Sequence, residues 1–239
     1  MFQDLSKFFR DITSSNLIVI FAPVASFVIA IAVVGSGNKY IAILLPSTVF
    51  FPILTLTMIE HDAKKAFWEL GLCYFVFVIF TVIMTTWSPV NGALALPKSN
   101  QQILSQLAQK NLVLIDIIEL AACALLAFLT AGFGGLVVLT RELNGMAYLS
   151  AAFYMNADKA VFAMLLPWTP WGILKVLSML MTTIALYSLT ISKIFNIQKL
   201  YFNQSILLLA IGLAMLSIFL RIVFSHFWVE MIFRCGIVM

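Results

Sequence analysis

Ionisable residues are scarce in this chain, and four of them fall inside or beside long apolar runs: Asp116, Glu119, Lys175 and Arg221. A charge in a bilayer core is expensive, so such residues mark ion pairs, proton relays or solute pathways unless they reach the headgroups. Asp116 and Glu119 are three residues apart, which puts both carboxylates on one helix face, about one turn apart. Two like charges removed from water need a counter-charge, and Lys175 and Arg221 are the internal candidates for it. Spacing alone leaves three readings open. The acids stay near the headgroups beside Lys110 while Lys175 and Arg221 snorkel outward; or the four residues pair between helices as structural links; or they line a cation or proton pathway.

No other constellation carries chemistry. Glu60, His61 and Asp62 are adjacent, so they do not converge on one point, and no third or fourth metal ligand accompanies them. His226 reads as an interfacial residue beside Trp228. Cys73, Cys123 and Cys235 are isolated and form no CxxC or Cys/His cluster, so they read as small buried apolar residues. The sequence contains no nucleotide-binding loop, Ser/His/Asp arrangement or zincin pattern. The expectation is a protein that is not an enzyme, with no cofactor and no metal. Basic runs are also absent, which argues against nucleic acid as a partner.

The elements that hold the four charges follow from composition. Of 239 residues, 10% are charged and 63% hydrophobic, and mean hydropathy is +1.07. Soluble domains have roughly 25% charged and 45–50% apolar residues. The expected solvent is therefore a lipid bilayer, and the expected fold is an all-α polytopic membrane protein with about six transmembrane helices. Residues 1–16 place Phe2, Leu5, Phe8, Phe9 and Ile12 at helical spacing, and predict an amphipathic helix in the headgroup plane. Residues 17–239 then form a single helical transmembrane domain.

Expected spans are 17–34, 40–59, 67–87, 112–139, 161–191 and 205–224. The second contains Pro46 and Pro52, tolerated in membrane helices because neighbours satisfy the freed carbonyls. Ile103, Leu104 and Leu107 predict a short surface helix within the polar stretch 88–111. The fourth span is long, with a stripe of small residues, Ala124, Ala127, Ala131 and Gly135, that predicts a helix-packing face. Gly132, Gly134 and Gly135 make it the expected place for a bend. Residues 141–145 read as a loop, and 146–160 are ambiguous. Pro167, Trp168, Pro170 and Trp171 predict that the fifth span proper starts near Trp171. The apolar tail after Phe224 is too short to cross.

Six spans put both termini on one side. That side carries Lys7, Arg10, Lys64, Lys65, Arg141, Lys159 and Arg234, against Lys39, Lys98, Lys110, Lys193 and Lys199 on the other. Seven basic residues against five predict cytoplasmic termini.

The stretch Tyr187–Gly212 resembles the Yip family of small multispanning proteins, particularly its bacterial inner-membrane relatives. The matching positions are Tyr187, Phe195, Asn196, Ile197 and Lys199 around a loop, then Ser205, Leu209, Ala210 and Gly212 in the following helix, with Pro167 upstream. The Asp-Leu-Tyr-Gly-Pro signature of the eukaryotic members is absent. The resemblance implies a non-enzymatic scaffold or assembly subunit that binds other membrane protein subunits within the bilayer, in a bacterial inner membrane. The alternative expectation is a transporter or permease component using the Asp116/Glu119 region.

Overall fold

Long apolar runs without water to satisfy their backbone groups fold as helices, since each N–H and C=O must then be bonded within the segment. The computed structural model describes residues 17–60, 62–87, 112–156, 160–195 and 204–234. Its helices are α1 (Leu17–Ser36), α2 (Lys39–Glu60), α3 (Ala63–Trp87), α4 (Leu112–Leu129), α5 (Phe133–Asn156), α6 (Ala160–Leu165), α7 (Pro170–Phe195) and α8 (Gln204–Arg234). Among the described residues there is no strand. Four stretches are long and apolar enough to cross a membrane: Tyr40–Met58, Ala63–Trp87, Val161–Ser192 and Gln204–Trp228. The helices expected over residues 1–16 and around Ile103 lie outside the described residues.

Around its apolar core the chain departs from the burial pattern of a water-soluble protein. Ser26, Ser47, Thr57, Thr81, Thr140, Asn144, Thr183 and Ser217 are buried, whereas Val28, Phe75, Leu125, Leu129, Met215 and Phe219 are exposed. Several hydroxyls in this interior bond back to the carbonyl four residues earlier, as Ser26 does to Ala22 at 2.7 Å and Thr81 to Phe77 at 2.8 Å. That geometry satisfies them without water. Large apolar side chains outward and mostly hydrogen-bonded polar groups inward describe a membrane-embedded helical protein.

The expected fourth span, 112–139, is not one helix. The chain stops at Leu129, turns through Thr130–Gly132 and reverses into α5. Ala131 takes φ 48° and Gly132 φ 88°, and the Gly132 N–H bonds the Ala127 carbonyl at 2.7 Å. This is a left-handed C-cap with alanine where glycine is usual. Thr130 ties the two helices together: its hydroxyl donates to the Leu126 carbonyl at 2.6 Å and accepts from the Gly134 N–H at 2.6 Å. A bend expected at these glycines is in fact a full helical hairpin, because two consecutive left-handed residues cannot continue a right-handed helix.

Two expectations change with it. Residues 141–145 are mid-helix in α5 rather than a loop. The small-residue stripe is not one face of one helix: Ala124 and Ala127 are on α4, Ala131 is at the hairpin tip and Gly135 is on α5. Ala127 and Gly135 meet across the hairpin, where a Cβ on Gly135 would lie 2.8 Å from that of Ala127 and still closer to Thr183 of α7. Small residues let three helices approach here, but the contact is made by folding back.

Prolines set the remaining register. Pro46 cannot donate to the Ala42 carbonyl, and Asn144 Nδ2 of α5 takes that place. The break expected near Trp171 falls between α6 and α7, where Thr169 caps α7 by accepting the Gly172 N–H at 3.0 Å and Pro170 takes the first helical position. The Leu166 carbonyl, which Pro170 cannot serve, accepts the indole N–H of Trp228 at 2.8 Å. Helix α8 continues to Arg234 instead of ending at Phe224, since no Gly or Pro interrupts 213–234.

Helices α1 to α5, α7 and α8 alternate in direction. Ser47 and Tyr74 both meet Thr140, Ser178 bonds the Ala210 carbonyl, and Ser217 bonds that of Trp171. Leu17 and Arg234 therefore sit at opposite ends of the bundle, whereas six crossings place both termini on one side. The core runs through Phe50, Leu54, Phe77, Leu136, Leu139, Met179 and Tyr187, with the Phe50 and Tyr74 rings edge to face at 4.7 Å.

The hairpin turn yields a direct test. Ala131→Gly removes a left-handed alanine, worth roughly 1–2 kcal/mol, and raises the thermal midpoint in detergent. Gly132→Val lowers it, because the backbone is left-handed and a Cβ would sit 3.1 Å from the Tyr187 ring and 3.2 Å from Leu54. Equal midpoints for the two variants would refute the turn.

Candidate functional site: an ion-pair cluster joining four helices

Helix α4 presents Asp116, Glu119, Cys123 and Ala127 inward while Leu114, Ile118, Leu125 and Leu129 face out. The i, i+3, i+7 spacing keeps the acids on the buried side. Across the hairpin, α5 brings Arg141 and Glu142 to the same level. Helix α7 contributes Lys175, five residues after the Pro170 start that fixes its height. From α8 comes Arg221.

The Lys175 ammonium is at the centre. It donates to Asp116 Oδ1 at 2.8 Å, Glu119 Oε2 at 2.5 Å and Glu142 Oε1 at 2.9 Å. An ammonium has three N–H donors, and all three are used. Arg221 Nη1 pairs with the second oxygen of Asp116, and Arg141 Nη1 lies 3.5 Å from the second oxygen of Glu119. The Lys175 side chain is 4% exposed and that of Asp116 2%, whereas that of Arg141 is 65% exposed. Three carboxylates thus face three cations, and the set is formally neutral. Charges buried this deeply persist only when paired and hydrogen-bonded.

All four residues singled out by sequence, Asp116, Glu119, Lys175 and Arg221, meet in this cluster. Outward snorkelling does not describe Lys175, whose head is the buried end. Sequence reading missed Glu142 and Arg141, which it assigned to a loop. The signal was present: Leu136, Leu139, Leu143, Met146 and Ser150 recur at three- or four-residue steps through them, and all are buried.

A smaller polar pair lies between α2 and α3. Thr57 Oγ1 donates to Glu69 Oε2 at 2.5 Å, and Lys65 Nζ lies 3.6 Å from the other oxygen. Asp62 caps α3 by accepting the Lys65 N–H at 2.8 Å. His61 and Cys235 lie outside the described residues. His226 is exposed on α8, and Cys73 and Cys123 are buried thiols. Among the described residues no group of three or more His, Cys, Asp or Glu is placed to hold a metal ion.

Comparison with protein-family models, with curated proteins and with solved structures found no match to this chain.

The cluster predicts a graded mutational series. Lys175→Met leaves three carboxylates without their shared partner and costs about 3–5 kcal/mol, seen as loss of the monodisperse species in detergent. Arg141→Gln, at an exposed position, costs about 1 kcal/mol or less. Glu119→Gln falls between, because Lys175 keeps two acids. A Lys175→Met protein as stable as the Arg141→Gln protein would show that the cluster does not hold the helices.

Proposed function

We propose that the chain is a non-enzymatic scaffold or assembly subunit of a membrane protein complex. The carrying observation is that every ammonium proton of Lys175 is spent on a side chain of the same chain. A solute pathway needs charges left to bind the solute, whereas this cluster spends them joining α4, α5, α7 and α8. What remains for a partner is an apolar perimeter. Helix α8 packs against α7 and turns Leu208, Ile211, Met215, Phe219 and Ile222 away from the bundle. The resemblance of Tyr187–Gly212 to the Yip family supports the same reading. Tyr187 lies buried in α7, and Ser205, Leu209, Ala210 and Gly212 lie on α8, while Asn196, Ile197 and Lys199 are outside the described residues.

The proposed setting is a bacterial inner membrane with the start of α1 facing the cytoplasm. The alternating helices bring the start of α3, the end of α7 and the start of α8 to that same end. By chain order Lys7, Arg10, Lys64, Lys65, Lys193 and Lys199 flank that end and Lys39, Lys98, Lys110, Lys159 and Arg234 the other, and six basic residues against five favour the first as the cytoplasmic one. The end of α8 then faces the opposite side.

A second reading, an ion-coupled transporter, rests on one observation. Without exposed Arg141, the interior holds three carboxylates against Lys175 and Arg221, one positive charge short. A proton or monovalent cation would complete it.

One pair of measurements separates the two. A photo-crosslinking amino acid at Met215 or Phe219 in living cells is expected to give one discrete protein adduct, and the purified protein in liposomes is expected to pass neither protons nor cations. Lipid adducts alone, together with a flux that Glu119→Gln abolishes, would replace the scaffold with the transporter.

A further inference from the structure

Between α3, α5, α6 and α7 the bundle leaves a groove of about 690 Å³. Its floor is formed by Leu139, Leu143 and Leu180, and its rim by the outward-facing Phe75, Ile79 and Ile83. Lining side chains with polar atoms have them bonded inside the protein. Tyr74 Oη lies 3.0 Å from Thr140 Oγ1, Trp168 Nε1 donates to Ser150 Oγ at 2.8 Å, and that hydroxyl donates to the Met146 carbonyl at 2.9 Å. Nothing in the wall asks for water, and an apolar cavity of this kind stays dry.

Length and one residue choice narrow the occupant. Along α3 the lining runs from Gly71 to Ile83, about 18 Å at 1.5 Å per residue. One leaflet contributes about half of a 30 Å hydrocarbon core, so the groove is slightly longer than one leaflet is deep and can take a whole lipid tail. Its shallow end lies at Ile83, Ser150 and Trp168, toward the exposed Trp87, a side chain typical of the headgroup level. Its deep end lies at Gly71 and Leu180. Glycine in a helix interior is disfavoured, yet a Cβ on Gly71 would meet nothing within 4 Å. No neighbouring helix demands that glycine. It keeps the deep end open.

We infer that this groove holds one acyl chain of a bilayer phospholipid as a seated lipid, distinct from the lipid that solvates the perimeter. Seating the chain removes the groove's apolar wall from a loosely filled opening and gives it a fixed packing partner.

The test uses the full chain in phosphatidylcholine vesicles doped with a phospholipid carrying a diazirine near the end of one acyl chain, with adducts mapped by peptide mass spectrometry. Expected labelling on the groove segments of α3, α5 and α7 exceeds that on the outer face of α8 (Leu208, Met215, Phe219) about fivefold, a difference of about 1 kcal/mol in occupancy. Gly71→Phe fills the deep end and removes that excess while α8 labelling stays constant. Gly71→Leu, the smaller change, removes part of it. Equal labelling of groove and α8 in the parent protein, or an excess that persists in both Gly71 variants, overturns the proposal. Loss of the groove labelling when an equimolar free fatty acid is present during photolysis overturns the assignment to a phospholipid.

Discussion

An ammonium group with three donors, surrounded by three carboxylates from two different helices, is the constraint around which the membrane interior of this protein is arranged. Each of those charges alone in hydrocarbon would be costly, so Lys175 can be buried only if α4, α5 and α7 are all in register. The hairpin must turn at Thr130–Gly132 for Glu142 to reach the level of Glu119. The Pro167–Pro170 break must end where it does for Lys175 to reach the same level. The arginine of α8 then completes the coordination of Asp116. A slip of one turn in any of these helices, about 5.4 Å, would separate at least one pair.

The rest of the bundle is held by weaker and more numerous contacts. Hydrophobic burial does not drive helices together in lipid, because the tails are as apolar as the side chains. Association rests instead on close packing, as where Gly135 meets Ala127 and Thr183, and on hydroxyl and amide bridges such as Ser47 with Thr140 and Asn144 with Ala42. The prolines enter these bridges as sources of acceptors. A freed carbonyl at Ala42 and another at Leu166 are each answered by a side chain from a different helix. Residues that weaken their own helix thereby fix its neighbours.

Composition made the solvent and the helical class legible, and the cost of intramembrane charge singled out Asp116, Glu119, Lys175 and Arg221 as a group. Two things were not legible. The hairpin tip was hidden because it uses alanine at a left-handed position, so the apolar run 112–139 carried no turn residue before Gly132 and read as one long span. The other was the pairing of Arg141 and Glu142: apolar residues at three- and four-residue steps run through them as in a helix, but nothing local names their partners. Their pairing depends on Lys175, more than thirty residues away in the chain, and no local periodicity encodes that. The same misreading bears on helix order: a missed reversal takes one helix out of the alternation and puts Leu17 and Arg234 at the same end of the bundle instead of at opposite ends.

The distribution of charge also bears on how the bundle assembles. The α4–α5 hairpin carries Asp116, Glu119, Glu142 and Arg141, a site charge of −2, while the α7–α8 pair carries Lys175 and Arg221, a site charge of +2. Each pair is joined by its own contacts, the Thr130 turn in one and the Ser178–Ala210 and Ser217–Trp171 bonds in the other. Two helical pairs of opposite charge, each unfavourable alone in the bilayer, neutralise only on docking. Buried ion pairs add little net stability over apolar packing of the same volume, so strength is not what this arrangement supplies. It supplies selectivity: an apolar interface would accept either pair in many registers, whereas three carboxylates around one ammonium accept a single alignment. In a chain whose helix surfaces are otherwise largely hydrocarbon, that is the feature able to distinguish the right helix–helix contact from the wrong ones.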